Sequence, residues 1–321
     1  MLNYPLKFSP ILKDKLWGGD KLVTKLGKKS DLKDIGESWE ISDVEGNISV
    51  VSNGSLKGKS LRDLLEIYQV ELVGKHNYAH FGNNFPLLIK FIDAKQDLSV
   101  QVHPDNELSK KRHNSFGKTE MWYIMQADEN ARLILGFNEE ITPDDYVKLL
   151  EEKNIMSVLN DVYVKSGDSF FIETGTVHAI GAGIVLAEIQ QTSDITYRIY
   201  DFDRVDDQGN ERELHTELAV DAINFSTESN YVRTYTKEEN SLNKVAECEY
   251  FKTNFIPVNG KVELDYTTTD SFVIFMCVEG EATITVFGNS ETVKFGETIL
   301  IPATSDNVII EGKCKFLEVT V

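Results

Sequence analysis

The sequence is poor in several features, each of which would have set its class. Cysteine is scarce: Cys248, Cys277 and Cys314 all fall in the last quarter, with no Cys-x-x-Cys spacing. That excludes a disulfide framework and a cysteine zinc site, and the three read as reduced, mostly buried thiols. No apolar run approaches the roughly 18 residues of a membrane span. The N-terminus lacks the basic, apolar and small-residue pattern of a signal sequence, so the cytoplasm is the expected address. Positive charge is in deficit, with 33 Lys and Arg against 52 Asp and Glu, a net charge of -19. Nucleic acid needs a basic face and is not an expected partner, nor is a membrane. A small phosphorylated ligand stays open if Lys and Arg cluster locally against the global field. Gly181-Ala182-Gly183 is no dinucleotide fingerprint, because strand-type rather than helical sequence follows it. No histidine lies beyond His215.

What remains is a chain of 321 residues, 41% hydrophobic and 26% charged, long enough for two domains with full cores. Ser60 to about Gly74 reads as a helix capped by Ser60 with Asp63, its apolar stripe made by Leu61, Leu64, Leu65, Tyr68 and Leu72. Short helices are expected over 105–112, from Thr142-Pro143 to about Asn154, and over roughly 214–224. Strands are expected at 36–42, 86–91, 121–125, 131–137, 167–172 and 184–191. From about 245 the pattern is strands and turns, at 272–278, 282–287, 291–295 and 298–301, punctuated by Gly280, Gly288, Gly296 and Gly312. Residues 226–244, rich in Ser, Thr, Glu and Asn, are the best candidate linker. Trp17 and Trp39 line either a pocket or the core, with the core the commoner role.

The chemistry gathers between Ser99 and Arg204. Alternation along Leu98-Ser99-Val100-Gln101-Val102 sends Ser99, Gln101 and His103 to one face. Farther on, Gly167 to His178 reads as turn, strand, tight turn and an inward histidine. With Glu120 these supply two imidazoles, one carboxylate and one amide oxygen, a set suited to zinc or another first-row divalent metal with open positions. One histidine alone is more often structural; the combination favours a metal.

An internal repeat supports this. Gly167-Asp168, Glu173 and His178 align with Gly296-Glu297, Pro302 and Asn307 at the same spacings. Both resemble the cupin motif Gly-x5-Pro-x-Gly-x2-His, the first with Glu173 in place of Pro, the second with Asn307 in place of the ligand His. The resemblance implies a mainly β fold of two cupin (jelly-roll) barrels, with a few short helices inserted in the N-terminal half. The implied domains are residues 1–240, catalytic, and 241–321, a second cupin without metal.

More specifically, the chain resembles type I mannose-6-phosphate isomerases of the short bacterial form. The matching segments are Trp17-Gly18-Gly19, Gly36 to Glu40, Gln101 to Asp105, Gly117 to Glu120, Gly175 to Ala179 and Glu188 to Asp194, with Arg198 at the family's spacing. Their order and spacing carry the likeness. It implies one zinc ion on Gln101, His103, Glu120 and His178, with Gln101 the weakest donor. It further implies a substrate-contacting Ser99, a catalytic-site Lys118, pocket residues Glu188, Asp194 and Arg198, and Arg204 where longer relatives carry a phosphate-binding Lys. Those relatives also carry a large helical domain that this chain is too short to contain.

The implied reaction interconverts mannose 6-phosphate and fructose 6-phosphate through an enediol. It needs a base at C1 and C2 and an electrophile for the developing oxyanion. Glu188, Lys118 or a hydroxide on the metal are alternatives for the base, and Arg198 reads as an electrostatic and phosphate-positioning group. The bland alternatives are a salt-bridged surface Lys118 and a structural Asp194–Arg198 pair. Two rival functions are an iron-dependent cupin oxygenase, whose facial triad also takes two His and a carboxylate, and a non-catalytic sugar-binding cupin. The oligomeric state is left open, a monomer sufficing.

Overall fold

The computed structural model describes residues 2–205, 208–227 and 231–321; positions 228–230 of the expected linker lie outside the described residues. The described chain is mainly β, with short helices confined to the residues up to Val220.

Two sheets frame the N-terminal part. A seven-stranded sheet runs Val232–Arg233, Ser169–Ile172, Glu120–Ala127, Ile184–Gln191, Leu87–Ala94, Ile11–Gly19 and Ile35–Ile41. A five-stranded sheet runs Leu159–Tyr163, Arg132–Phe137, His178–Ile180, Val100–Val102 and Tyr197–Tyr200. Both Leu87–Ala94 and Ile184–Gln191 are buried along their whole length, so the larger sheet is covered on both faces. Alternation divides its residues. Ile89, Phe91, Met121, Tyr123, Ala187 and Ile189 join a cluster that includes Phe251, Phe255, Phe272 and Leu317 of the C-terminal part. Ile92, Trp122, Ile124, Phe170 and Leu186 join Leu133, Leu135 and Ile180 of the smaller sheet. Lys90, Glu120 and Glu188 share the parity of that second set, which turns them towards the space between the two sheets.

The C-terminal sheet contains three 14-residue strands, Lys252–Asp265, Val273–Val286 and Asn307–Thr320, with Asn243–Glu247, Asn289–Lys294 and Thr298–Ile301 beside them. The expected breaks at Gly280 and Gly312 are therefore corrected: both glycines lie inside strands. At Gly280 (φ +75°) an added Cβ would stand 2.2 Å from the Lys313 carbonyl oxygen, so glycine there permits close approach of two paired strands. The chain's N-terminus is sewn to this part through reciprocal backbone bonds between Leu6 and Leu300, 2.8 and 2.9 Å long.

Local chemistry explains the helices. Ser60 and Asp63 form the expected capping box on Leu61–Tyr68, and Thr142 and Asp145 form another on Pro143–Glu151. The single helix expected to about Gly74 is interrupted at Gln69, whose φ is 45°, and continues as Val70–Val73. A further helix, Lys75–Phe81, was not anticipated; Asp270 of the C-terminal part caps it by accepting from the Lys75 and His76 amides. The repeat is structural: Gly167 and Gly296 both have positive φ, each precedes a four-residue strand, and His178 and Asn307 each begin the next strand. Asn307, however, is exposed and bonded to Glu263.

Inside the C-terminal part, Glu318 is 2% exposed and accepts from Asn254 Nδ2 at 2.6 Å and Tyr266 Oη at 3.2 Å. Burial outweighs these bonds and raises its pKa above 4.5. A raised carboxyl binds its proton more tightly when folded, so stability falls as pH rises through 4.5 towards the folded value. Glu318→Gln is therefore expected to raise the melting temperature at pH 7, with the gain vanishing below pH 4.5. Melting curves across that range check this, and a loss of stability at pH 7 would contradict it.

Candidate metal centre

The centre forms where one rung of each sheet meets. On the five-stranded sheet, His178, Gln101 and Arg198 sit side by side in register. On the larger sheet, Glu120 lies between Ile172 and Gln190, and Trp122, Glu188 and Lys90 follow one period on. His103 follows Val100–Val102 and is placed before Pro104, which cannot extend the ladder.

His103, Glu120 and His178 are fully buried and bring one ligand atom each to within 4.8 Å of the others, the one such group of His, Cys, Asp and Glu among the described residues. His103 Nε2 is 3.3 Å from Glu120 Oε1, and His178 Nε2 is 3.8 Å from Glu120 Oε2. The rings are oriented from behind. His103 Nδ1 lies 2.9 Å from the Ile195 carbonyl, and His178 Nδ1 lies 2.8 Å from the Thr176 carbonyl. A carbonyl only accepts, so each Nδ1 carries the hydrogen and each Nε2 presents a lone pair. Burial, then the Lys118 charge, lowers the His103 pKa to about 3, and burial lowers that of His178. Burial alone would raise Glu120, but Lys118 and His103 hold it well below the ordinary carboxyl value. Neither Glu120 oxygen accepts a well-directed hydrogen bond. Instead Lys118 Nζ stands 3.0 Å from Oε1 while donating to His103 Nε2 at 3.3 Å. Two lone pairs and an anionic carboxylate without donors, attended by an ammonium, fit a divalent cation.

Gln101 reaches the same point, its amide nitrogen 3.3 Å from His178 Nε2; turning the amide over presents the oxygen instead. Above lies a cavity of about 440 Å³, with Ser99, Trp17 and Trp39 in its wall. Both tryptophans are also nearly fully buried, so each is core and pocket at once. Six cationic side chains line the cavity (Lys13, Lys15, Lys90, Lys118, Arg198 and Arg212) against three acidic ones, Glu37, Glu188 and Asp194. The local sign is thus opposite to the chain's net charge of -19.

Glu188 accepts from Trp122 Nε1 at 2.9 Å and pairs with Lys90 Nζ at 2.9 Å. Burial, then Glu120, raises its pKa. Burial opposes the charge on Lys90, but Glu188 and Glu37 outweigh it and keep the ammonium protonated. Glu37 in turn is held ionised against burial by Lys90 and Lys15, and accepts from Trp39 Nε1 at 2.6 Å. Sequence reading missed Lys90 and Glu37. The available signal was a lysine within the otherwise apolar strand Leu87–Phe91.

Two expectations change. Asp194 precedes the strand Tyr197–Tyr200, so alternation does not relate it to Arg198, and no ion pair between the two occurs among the described residues. Asp194 is exposed at the cavity rim, while Arg198 donates Nη1 to the Glu213 carbonyl at 2.7 Å and leaves Nε buried without a partner. Arg204 does not line the cavity: it holds the Asp97 carbonyl at 2.6 Å and Asp201. Arg212, which sequence reading passed over, lines the cavity and is gripped by both Asp201 oxygens.

The model of the phosphomannose isomerase type I catalytic domain matches residues 6–136, and that of the mannose-6-phosphate isomerase cupin domain matches 241–321. The chain is 36% identical over 315 residues to the mannose-6-phosphate isomerase ManA of Bacillus subtilis, covering 97% of each. It is 33% identical over 314 residues to that of Streptococcus mutans, covering 98% of this chain and 97% of the relative. The crystal structure of the mannose 6-phosphate isomerase from Bacillus subtilis superposes with a TM-score of 0.90 at 31% identity, over 99% of this chain and all of the other. A variant of the phosphomannose isomerase from Salmonella typhimurium shares the fold, with a TM-score of 0.81 at 17% identity and 99% coverage of both.

His178→Ala is expected to lose stoichiometric divalent metal, read by elemental analysis and chelator competition. In the unaltered protein, metal should stay bound as pH falls through 6.5, the ordinary histidine value, because burial lowers the proton affinity of both His103 and His178. One metal per chain retained in His178→Ala would remove that residue from the ligand set.

Proposed function

The chain belongs to the type I mannose-6-phosphate isomerase family, and from that premise we propose that it interconverts mannose 6-phosphate and fructose 6-phosphate through an enediol, using one zinc ion held by His103, Glu120 and His178, with Gln101 or water completing the shell. The family's isomerase activity follows from full-length similarity; metal, mechanism and residue roles are our assignment. The observation that carries it is the convergence of two imidazole lone pairs on a buried carboxylate whose oxygens accept no well-directed hydrogen bond, beside a cavity whose wall is cationic in an acidic protein. The cationic wall suits an anionic sugar, which neither an oxygenase nor a neutral-sugar binder would require.

Zinc, when bound, supplies a Lewis acid for the substrate's carbonyl or hydroxyl oxygen. The protein's own groups do the rest. Glu188 is our choice of base: it lines the cavity, Lys90 and Trp122 fix its orientation, and a raised pKa suits a carboxylate that must take up and return a proton. Lys118 places a positive charge beside the reacting end. Arg198, with an unpartnered Nε, and Arg212 offer guanidinium donors to the phosphate or enediolate oxygens, with Ser99 and Asp194 contacting hydroxyls. Arg204 supports this wall by sharing Asp201 with Arg212. We read residues 1–240 and 241–321 as two domains, each a jelly-roll barrel, the second contributing packing. No helix among the described residues is long and apolar enough to cross a membrane, and we place the activity in the cytoplasm.

A coupled assay of mannose 6-phosphate and fructose 6-phosphate interconversion tests the proposal. Turnover should disappear on chelation and return with zinc; turnover undiminished by full metal removal would overturn the metal's role. For Arg198→Ala, metal-loaded and folded, turnover is expected to fall on the order of 10²–10³-fold, as for loss of one preorganised oxyanion partner. A change confined to KM would make Arg198 a phosphate anchor only.

A further inference from the structure

Lys118 and Glu120 sit at the end of a segment without regular structure, residues 114–119, that leads into the strand Glu120–Ala127. Such a segment has no ladder to satisfy its amides, yet residues 117–120 are buried, where an unbonded N–H is costly. Two side-chain amides fill the gap. Asn106 Oδ1 accepts from the Gly117 amide at 2.8 Å, and Gln191 Oε1 accepts from the Thr119 amide at 3.0 Å. The clamping residues are themselves joined, Gln191 Nε2 donating to Asn106 Oδ1 at 3.1 Å. Asn106 Nδ2 donates in turn to Tyr250 Oη at 3.0 Å. Gly117 fits closely: an added Cβ would meet the Asn106 backbone nitrogen at 2.8 Å.

We propose that Asn106, Gln191 and Tyr250 are positioning residues that hold the main chain on either side of Lys118, and that through Tyr250 the C-terminal part takes a share in the reaction beyond packing. The inference rests on the isomerase reading for its kinetic consequence, though not for the clamp itself. The geometry is specific. The two amides held belong to Gly117 and Thr119, which flank Lys118, and Thr119 immediately precedes the ligand candidate Glu120. Fixing both peptide units fixes the root of the ammonium that stands 3.0 Å from Glu120 Oε1. A displacement on the order of 1 Å there is enough to cost about a hundredfold in rate.

The test uses the full chain, metal-loaded, in four variants: Asn106→Ala, Gln191→Leu, Tyr250→Phe and the conservative Asn106→Asp. Amide hydrogen exchange is read over residues 114–120 and, as an internal control, over Leu87–Ala94. Asn106→Ala and Gln191→Leu are expected to speed exchange at 114–120 by roughly tenfold, as loss of one hydrogen bond of ordinary net strength implies, with the control strand unchanged. In the same variants kcat should fall between about tenfold and a hundredfold while KM moves little. Asn106→Asp keeps an oxygen acceptor for the Gly117 amide and for Gln191 Nε2, so it should restore both readouts. Tyr250→Phe, which removes one oxygen and keeps the ring, should shift both in the same direction by less, and it carries the test if Asn106→Ala does not fold. Unchanged exchange at 114–120 in the folded variants, or faster exchange with normal kcat, would overturn the proposal. Absence of isomerase activity in the unaltered protein would sink the functional reading and the kinetic half of the proposal with it, while unchanged exchange at 114–120 would sink the clamp.

Discussion

The structure turns on the direction of two lone pairs. Imidazole has two ring nitrogens and, when neutral, one hydrogen to place, so whichever nitrogen finds a carbonyl donates and the other is left to bind. At His103 and His178 main-chain carbonyls, those of Ile195 and Thr176, take the Nδ1 hydrogens. The backbone path of residues 174–178 and 193–197 thereby aims both Nε2 atoms at Glu120. Burial keeps the rings neutral, and without a cation the carboxylate between them would be an uncompensated charge in a dry site. Lys118 meets part of that need here, and a divalent ion would meet all of it.

This arrangement needs two sheets held face to face at fixed depth, and the seven-stranded sheet supplies that through a simple parity. Odd-numbered residues of Leu87–Phe91 enter the apolar cluster shared with the C-terminal part, while Lys90 enters the cavity. The same parity sets Tyr123 against Phe255, ring centroids 5.9 Å apart, and Trp122 against His178, centroids 5.4 Å apart. One strand thus packs a core with one face and builds the site with the other. A one-residue slip would exchange the two roles. The cationic wall depends on this as well, since Glu188 and Glu37 both favour the charge on buried Lys90, and Lys90 in turn favours the charge on each of them.

Much of this was legible from residue order. Alternation around Gln101, the repeat linking Gly167 to Gly296, the capping box at Ser60 and the Thr142-Pro143 helix start are local signals, and local signals survive without tertiary context. What was not legible came from contacts between distant segments. Gly280 and Gly312 read as strand ends, yet serve inside long paired strands because the partner backbone approaches there. The helix Lys75–Phe81 carries little apolar periodicity and owes its start to Asp270, nearly two hundred residues away. Asp194 and Arg198 were paired by a strand period that begins only at Tyr197. Arg204 and Arg212 are indistinguishable in sequence; which one faces the cavity is decided by how they divide Asp201 and the Asp97 carbonyl. Site chemistry that depends on residue type and short spacing could be read. Site chemistry that depends on which side chain wins a shared partner could not.

The central claim is that the two histidine lone pairs and Glu120 form one cation site facing the cavity. Anomalous diffraction from crystals of the zinc-loaded protein tests it most directly. The expected result is a single peak per chain within bonding distance of His103 Nε2, His178 Nε2 and a Glu120 oxygen, with both Nδ1 atoms still on the Ile195 and Thr176 carbonyls. A peak elsewhere, or ligation through Nδ1 after the rings have turned away from those carbonyls, would contradict it.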